Sequence, residues 1–345
     1  MAEVSTIGLD IAKNVFQVHG VDAAGEVVIR RQLRRAEVLK FFGRQARCLV
    51  GIEACGSAHY WARQIAALGH EVKLLPPARV KPYVKLGKKN DAADAAAICE
   101  AVTRPHMQFV PAKSAEQQAM LSLHRARDLL VGQRTTLINA IRSHLAEFGI
   151  VARPGKGGFA GLVAGLRSEE GNGLPAAALS ALRLLAEQID ACTARIDALE
   201  GGIVARHRSD ETSRNLATIP GIGPITASAL AAAVPDAAKF KSGRQFAAWL
   251  GLVPRQNSTG GKQRLGGITK AGDRYLRRLL VIGATGLIRY KRQTVPGGLA
   301  WVTKLLGSKP VRLVTVALAN KMARIAWAVM TSGATYREVP LPQAA

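Results

Sequence analysis

Hydrophobic and polar positions alternate along residues 4 to 31 in three short bursts. "VSTIGLD" is an apolar run, "VFQVHGVD" alternates, and "GEVVIRRQL" alternates again after the turn "DAAG". Period-two patterning joined by tight turns predicts an antiparallel meander. The pattern then lengthens to a helix over about 35–46. "CLVGIEA" is apolar on both faces, as buried parallel strands are. A helix over about Ala58 to Leu68, a strand "EVKLLPP" and a helix over about Asn90 to Val102 follow. The order is β-β-β-α-β-α-β-α, a mixed sheet with helices on its faces.

That order is the one a ribonuclease-H-like domain would give, here over residues 1–112. Beyond it the period becomes helical for a hundred residues. Ser114 and Gln117 form a capping box at the start of a helix that could reach Gly149, about 50 Å at 1.5 Å per residue. "RPGKGGFAGLVAG" interrupts with Pro and Gly, and a second long helix begins near Pro175. Its apolar positions Leu182, Leu185, Ile189, Cys192, Ile196, Leu199 and Ile203 step alternately by three and four, the seam of a coiled coil. We expect an antiparallel two-helix arm over 113–214, pairing within or between chains. Over 215–335 the texture changes to short helices and Gly-rich turns, with a helix-hairpin-helix signature at "IPGIGPITASAL", a basic Gly-rich loop, an amphipathic basic helix, and two helices near 311–331. Residues 336–345 read as a tail.

Charge narrows the function. Lys and Arg number 48 against 24 Asp and Glu, a net charge of +24 spread along the whole chain. Such a balance calls for a polyanionic partner, nucleic acid first. The start "MAEVSTIGLDIAK" lacks the basic and apolar regions of a signal peptide, and no uninterrupted apolar run is long enough to span a bilayer. Cys48, Cys55, Cys99 and Cys192 are scattered, as free thiols in a reducing compartment are. A cytoplasmic protein with no membrane partner is expected.

Against that positive background the acids are informative. Asp10 ends one apolar strand and Glu53 another, while Asp91 and Asp94 share one helix face in "KKNDAADAAAI". Strand ends that point the same way converge at one sheet edge. Four carboxylates there could hold two Mg²⁺ ions for phosphoryl transfer. Each Asp alone reads as well as a cap or turn. Lys81, Lys85, Lys88 and Lys89 precede the pair and could hold backbone phosphates, or form a solvated charge run. Gly221 and Gly223 have the spacing of a helix-hairpin-helix, which brings backbone N–H groups to a phosphate. A third set, Ser258 and Thr259 among Arg255, Lys262, Arg264 and Lys270, reads from the residues as a phosphate-binding loop or a nucleophile loop.

The phrases "GLDIAK", "GIEACGSAHYWA", "KNDAADA", "IPGIGPITASAL" and "FAAWLGLVPRQNSTGGKQRLGGITKAGD" resemble, in order, the insertion sequence 110 family of DEDD transposases. The resemblance covers nearly the whole chain. It implies a Holliday-junction-resolvase-like N-terminal domain whose four acids fall on Asp10, Glu53, Asp91 and Asp94. It implies a C-terminal transposase domain with a Ser that becomes covalently linked to DNA, mapping onto Ser258. The family places that Ser directly before Gly, where this chain has Thr259, so Thr259 is the fallback. It further implies donor and target DNA as substrates, a non-coding bridge RNA that pairs with both, and a tetramer. Two rival readings are a metal-dependent junction endonuclease without Ser chemistry and a non-catalytic nucleic-acid-binding protein.

Overall fold

The three bursts of alternation fold as strands β1 (Thr6–Ile11), β2 (Val15–Val21) and β3 (Val27–Arg34). They are followed by α1 (Val38–Phe42), β4 (Leu49–Glu53), α2 (Ala58–Ala67), β5 (Glu71–Leu75), the short α3 (Pro77–Val80) and α4 (Asp91–Val102). The computed structural model describes residues 3–84, 90–257, 259–260, 262, 264–290 and 300–337. It divides into two compact units, Met1–Gln118 and Ala119–Ala345. In the first, the sheet order is β3-β2-β1-β4-β5, with β1–β2–β3 antiparallel and β1–β4–β5 parallel. The expected mixed sheet is therefore present.

Alternation decides what each face meets. Ile7, Leu9, Val50 and Ile52 point into a core with Val38 and Phe42 of α1 and Trp61 and Ile65 of α2. The other face receives α4, whose Ile98, Ala101 and Val102 pack with Leu75 and Val80. Trp61 is thus a packing residue, in edge contact with Phe16. The helix expected over 35–46 is shorter. A 3-10 turn, Arg35–Glu37, leads into α1, which ends at Gly43.

The second unit is helical: α5 (Ala115–Ala146), α6 (Lys156–Arg167), α7 (Ala176–Ser209), α8 (Glu211–Ala217), α9 (Pro224–Ala233), α10 (Gly243–Trp249), then β6 (Pro254–Gln256), β7 (Leu265–Ile268), α11 (Arg274–Tyr290), α12 (Ala300–Leu306) and α13 (Val311–Ser332). The Ser114–Gln117 capping box is formed, with both reciprocal bonds at 3.0 and 3.1 Å. Arg127 of α5 bonds Glu200 of α7 at 2.7 Å, and Arg134 faces Thr193, so the two long helices run antiparallel within one chain. Leu182 and Ile189 of the seam are buried against Ile141 and Leu145 of α5 and Leu162 and Leu166 of α6; between them Ala186 is buried and the seam residue Leu185 only partly so.

Three expectations are corrected. The "RPGKGGFAGLVAG" break contains α6, since burial of Leu162 and Leu166 outweighs the low helix propensity of its glycines. The region 311–331 holds one helix rather than two. The basic Gly-rich segment is an antiparallel β6–β7 hairpin, not a plain loop. α13 is long and apolar enough to cross a membrane by length and composition. Val314, Leu318, Met322 and Ala326 on it are packed in the core of the helical unit instead.

Candidate active site

Two glycines build the acidic edge. Gly8 and Gly51 are register partners on the parallel β1–β4 pair. Each sits two residues before an acid, so Gly8 and Asp10, and Gly51 and Glu53, share the face that meets α4. A Cβ on Gly8 would collide with the backbone carbonyl of Ala95 and lie 2.7 Å from Cys99 Cβ. A Cβ on Gly51 would lie 2.8 Å from Val102 Cβ. Without them α4 rests directly on the strands, and its first turn is set down beside Asp10.

Asn90 takes over the capping. Its side chain accepts from the Ala93 N–H at 2.8 Å. Asp91 and Asp94 are left in the first turn, where the helix dipole favours negative charge. Their stripe continues along the helix into Ala95, Ile98 and Val102, which face the sheet.

Carboxylate oxygens of Asp10, Asp91 and Asp94 lie within 4.8 Å of one another. Glu53 is outside that trio, but its charge reaches Asp10. Burial, then Asp94, Asp91 and Glu53, push the Asp10 carboxyl up to about 6. Burial and Asp94 raise Glu53 as well. Like charges this close oppose joint ionisation unless a cation joins them. All-oxygen donors of this kind suit a hard divalent cation. The Glu53 neighbourhood also holds Cys55, the exposed thiol among the four free cysteines.

The other predicted residues are distributed as follows. Lys81 lies in a 3-10 turn, Lys81–Tyr83, and Lys85, Lys88 and Lys89 lie outside the described residues. Gly221 has φ 83°, and a Cβ on it would press on Leu287 and Met322, so its smallness is used in packing α11 and α13. Gly223 is the N-cap of α9 and has open space at its Cβ. Arg255, Thr259, Lys262 and Arg264 are exposed along the β6–β7 hairpin, with Thr259 and Lys262 paired across its tip. Ser258 lies outside the described residues. Lys270, at φ 56°, closes the hairpin root through its N–H to the Gly251 carbonyl at 3.2 Å.

Comparison with known proteins decides the class. Residues 7–150 match a family described as a transposase of the DEDD, IS110 type, and residues 213–296 match "Transposase IS116/IS110/IS902 family". A "Probable family 20 transposase" of Pseudomonas aeruginosa is 52% identical over 97% of this chain and 99% of its own length. The "Transposase for insertion sequence element IS1328" of Yersinia enterocolitica is 42% identical over 97% of this chain and 99% of its own. That for element IS1111A of Coxiella burnetii is 38% identical, over 98% and 92%.

The chain belongs to the insertion sequence 110 family of transposases.

For a DNA transposase two groups missed in the sequence gain interest. Arg277 of α11 donates to the carbonyls of Leu250 at 2.9 Å and Ala271 at 2.8 Å, tying both ends of the hairpin to one helix. Gly251 and Gly272 let those ends cross, because a Cβ on either would strike the opposite backbone. His124 of α5 is buried and bonds Tyr275 Oη and Ser228 Oγ, each at 3.0 Å. Burial, then Arg127, lowers its pKa to about 4. It holds α5, α9 and α11 together as a neutral ring. An isolated His or Arg in a basic sequence gives no signal of this kind. The glycines at Gly-x-Asp and Gly-x-Glu did carry one, through their period-two spacing.

Proposed function

We propose that this transposase cuts and rejoins donor and target DNA under the guidance of a non-coding bridge RNA, using a ribonuclease-H-like acidic site and a Ser nucleophile. The convergence of Asp10, Asp91 and Asp94 at one sheet edge carries the reading. Those three, with Glu53, would hold Mg²⁺, which neutralises charge on the phosphate oxygens and on the attacking and leaving oxygens. Ser258 Oγ would attack the scissile phosphate, leaving one DNA end as a phosphoserine ester and the other as a hydroxyl. Rejoining reverses that displacement with a hydroxyl from the partner duplex. The exposed hairpin suits such a role, because its tip can meet DNA without disturbing the core.

The Lys81–Lys89 cluster, Arg255, Lys262, Arg264 and Lys270 would bind backbone phosphates. The α8–turn–α9 segment would act as a helix-hairpin-helix through the α9 N-terminus at Gly223. The α5–α7 pair would form a coiled-coil arm in a tetramer working in the cytoplasm. Guide pairing reads the sequence, so the protein need mainly hold backbones.

The test incubates the protein with Mg²⁺, RNA from the element's flank and labelled DNA sites. A protein–DNA adduct that survives denaturant, and is lost in Ser258→Ala, is expected. Cleavage without adduct, retained in Ser258→Ala, would replace this reading with a junction endonuclease. Cleavage that persists in both Asp10→Ala and Asp94→Asn would exclude the acidic site altogether.

A further inference from the structure

The sheet face that carries the acids continues past α4. Register places Gln17 opposite Asp10 and His19 opposite Gly8 on β2, then Gln32 opposite Gln17 and Arg30 opposite His19 on β3. Cross-strand partners share a face, so these four side chains stand on the side where α4 lies. They line a groove of about 1090 Å³ whose opposite wall includes Ala92, Ala93 and Ala96 of α4. The alanines that follow each acid in "DAADAAAI" therefore leave room beside the site.

The groove is polar and its acids are occupied. Asp22 accepts the N–H groups of Ala24 and Glu26, both at 2.9 Å. Glu100 is paired with Arg104 at 2.6 Å. Among the described residues no carboxylate pairs with Arg30, so that guanidinium is left to face the groove. Burial and Arg30 lower the His19 pKa, keeping a neutral donor–acceptor beside Gln17 and Gln32. From Gln17 to Val21 the floor extends about 14 Å at 3.4 Å per residue, the axial rise of roughly four nucleotides of one B-form strand.

Resting on the acidic-site reading given under Proposed function, we infer that this groove is the track by which one strand of the cut DNA reaches Asp10, Asp91 and Asp94. Arg30 neutralises a backbone phosphate. Gln17, His19 and Gln32 bond to the same strand through groups that both donate and accept. The strand leaves the acids between β2–β3 and the alanine edge of α4. The Arg30 guanidinium without a carboxylate partner and the continuity with the acidic edge select this occupant.

The experiment uses the full chain with its flanking RNA. DNA sites carry 4-thiothymidine at successive positions on either side of the cut bond, and photo-crosslinks are mapped by mass spectrometry. Adducts on residues 15–34 or 92–104 are expected from nucleotides on one side of the bond. Arg30→Glu should weaken DNA binding about tenfold at moderate salt and flatten the salt slope by about one counterion, with Arg30→Lys close to wild type. Mn²⁺ affinity and RNA affinity of Arg30→Glu should be unchanged. Crosslinks confined to other segments, with wild-type DNA affinity in Arg30→Glu, would overturn the proposal. So would a loss of RNA affinity in place of DNA affinity, which would assign the groove to the guide. Asp10→Ala and Asp94→Asn are the separate controls: cleavage retained in both fails the acidic-site reading, while the crosslink map still judges the groove.

Discussion

At the scale of single residues, the acidic site depends on two side chains that are not there. Gly8 lies under the middle of α4, at Ala95 and Cys99, one turn closer to the acids than Gly51, which lies under Ile98 and Val102. A methyl on Gly8 must lift Asp91 and Asp94 away from Asp10. A methyl on Gly51 lifts mainly the far end. Gly8→Ala should therefore weaken Mn²⁺ binding by about tenfold or more, measured by electron paramagnetic resonance titration, at a folding cost of about 1–3 kcal/mol. Gly51→Ala should cost similar stability but less metal affinity. Equal metal loss in both would show that general loosening, not helix placement, is responsible. The convergence of Asp10, Asp91 and Asp94 was legible because the first ends an apolar strand and the others open a helix, whereas Glu53, read the same way, stands outside the trio. The glycines stood two residues ahead of Asp10 and Glu53, yet sequence cannot say which helix will cross there. Only the fold brings Ala95 onto Gly8.

At the scale of elements, strong periodicity was read correctly and weak periodicity was not. β2, β3, α4 and the two long helices follow their patterns because one face of each is more buried than the other, and β1 and β4 read as apolar runs because both faces are covered. α6 is Gly-rich and forms only through Leu162 and Leu166, a tertiary effect no local window contains. The β6–β7 hairpin was missed because its strands are short and face water on both sides, so no alternation marks them. Its order comes from the root. Arg277→Ala removes two charge-assisted bonds and should cost about 2 kcal/mol. Hydrogen exchange over 250–272 should quicken, with the α5–α7 pair unchanged. Adduct formation should fall while Mn²⁺ binding stays at the wild-type level.

At the scale of the whole molecule, the two units answer acid with opposite signs. In the sheet unit, the folded Asp10 carboxyl titrates near 6, above its ordinary value of 3.8. Between those values the folded state holds the extra proton, so metal-free stability rises as pH falls through about 6 toward 4. In the helical unit, folded His124 titrates near 4, below its ordinary 6.5. There the unfolded state holds the extra proton, so stability falls over nearly the same range. Calorimetry of the metal-free protein should show the transitions of the two units shifting in opposite directions between pH 6.5 and 4. Asp10→Asn should flatten the first response and raise the metal-free stability of that unit above pH 6, by about 1 kcal/mol once partial exposure is allowed for. Both units are net basic, with 17 Lys and Arg against 11 Asp and Glu in the first and 31 against 13 in the second, so self-repulsion would not produce opposite slopes.

The hairpin has one more consequence. Every described residue from 254 to 267 is exposed, whereas the segments at its root are fixed by Gly251, Gly272 and Arg277. The core therefore does not register what the tip contains. In engineering terms the tip is an exchangeable cartridge. Sequences of different length or chemistry could be fitted between residues 253 and 268, and the host would fold around the same socket.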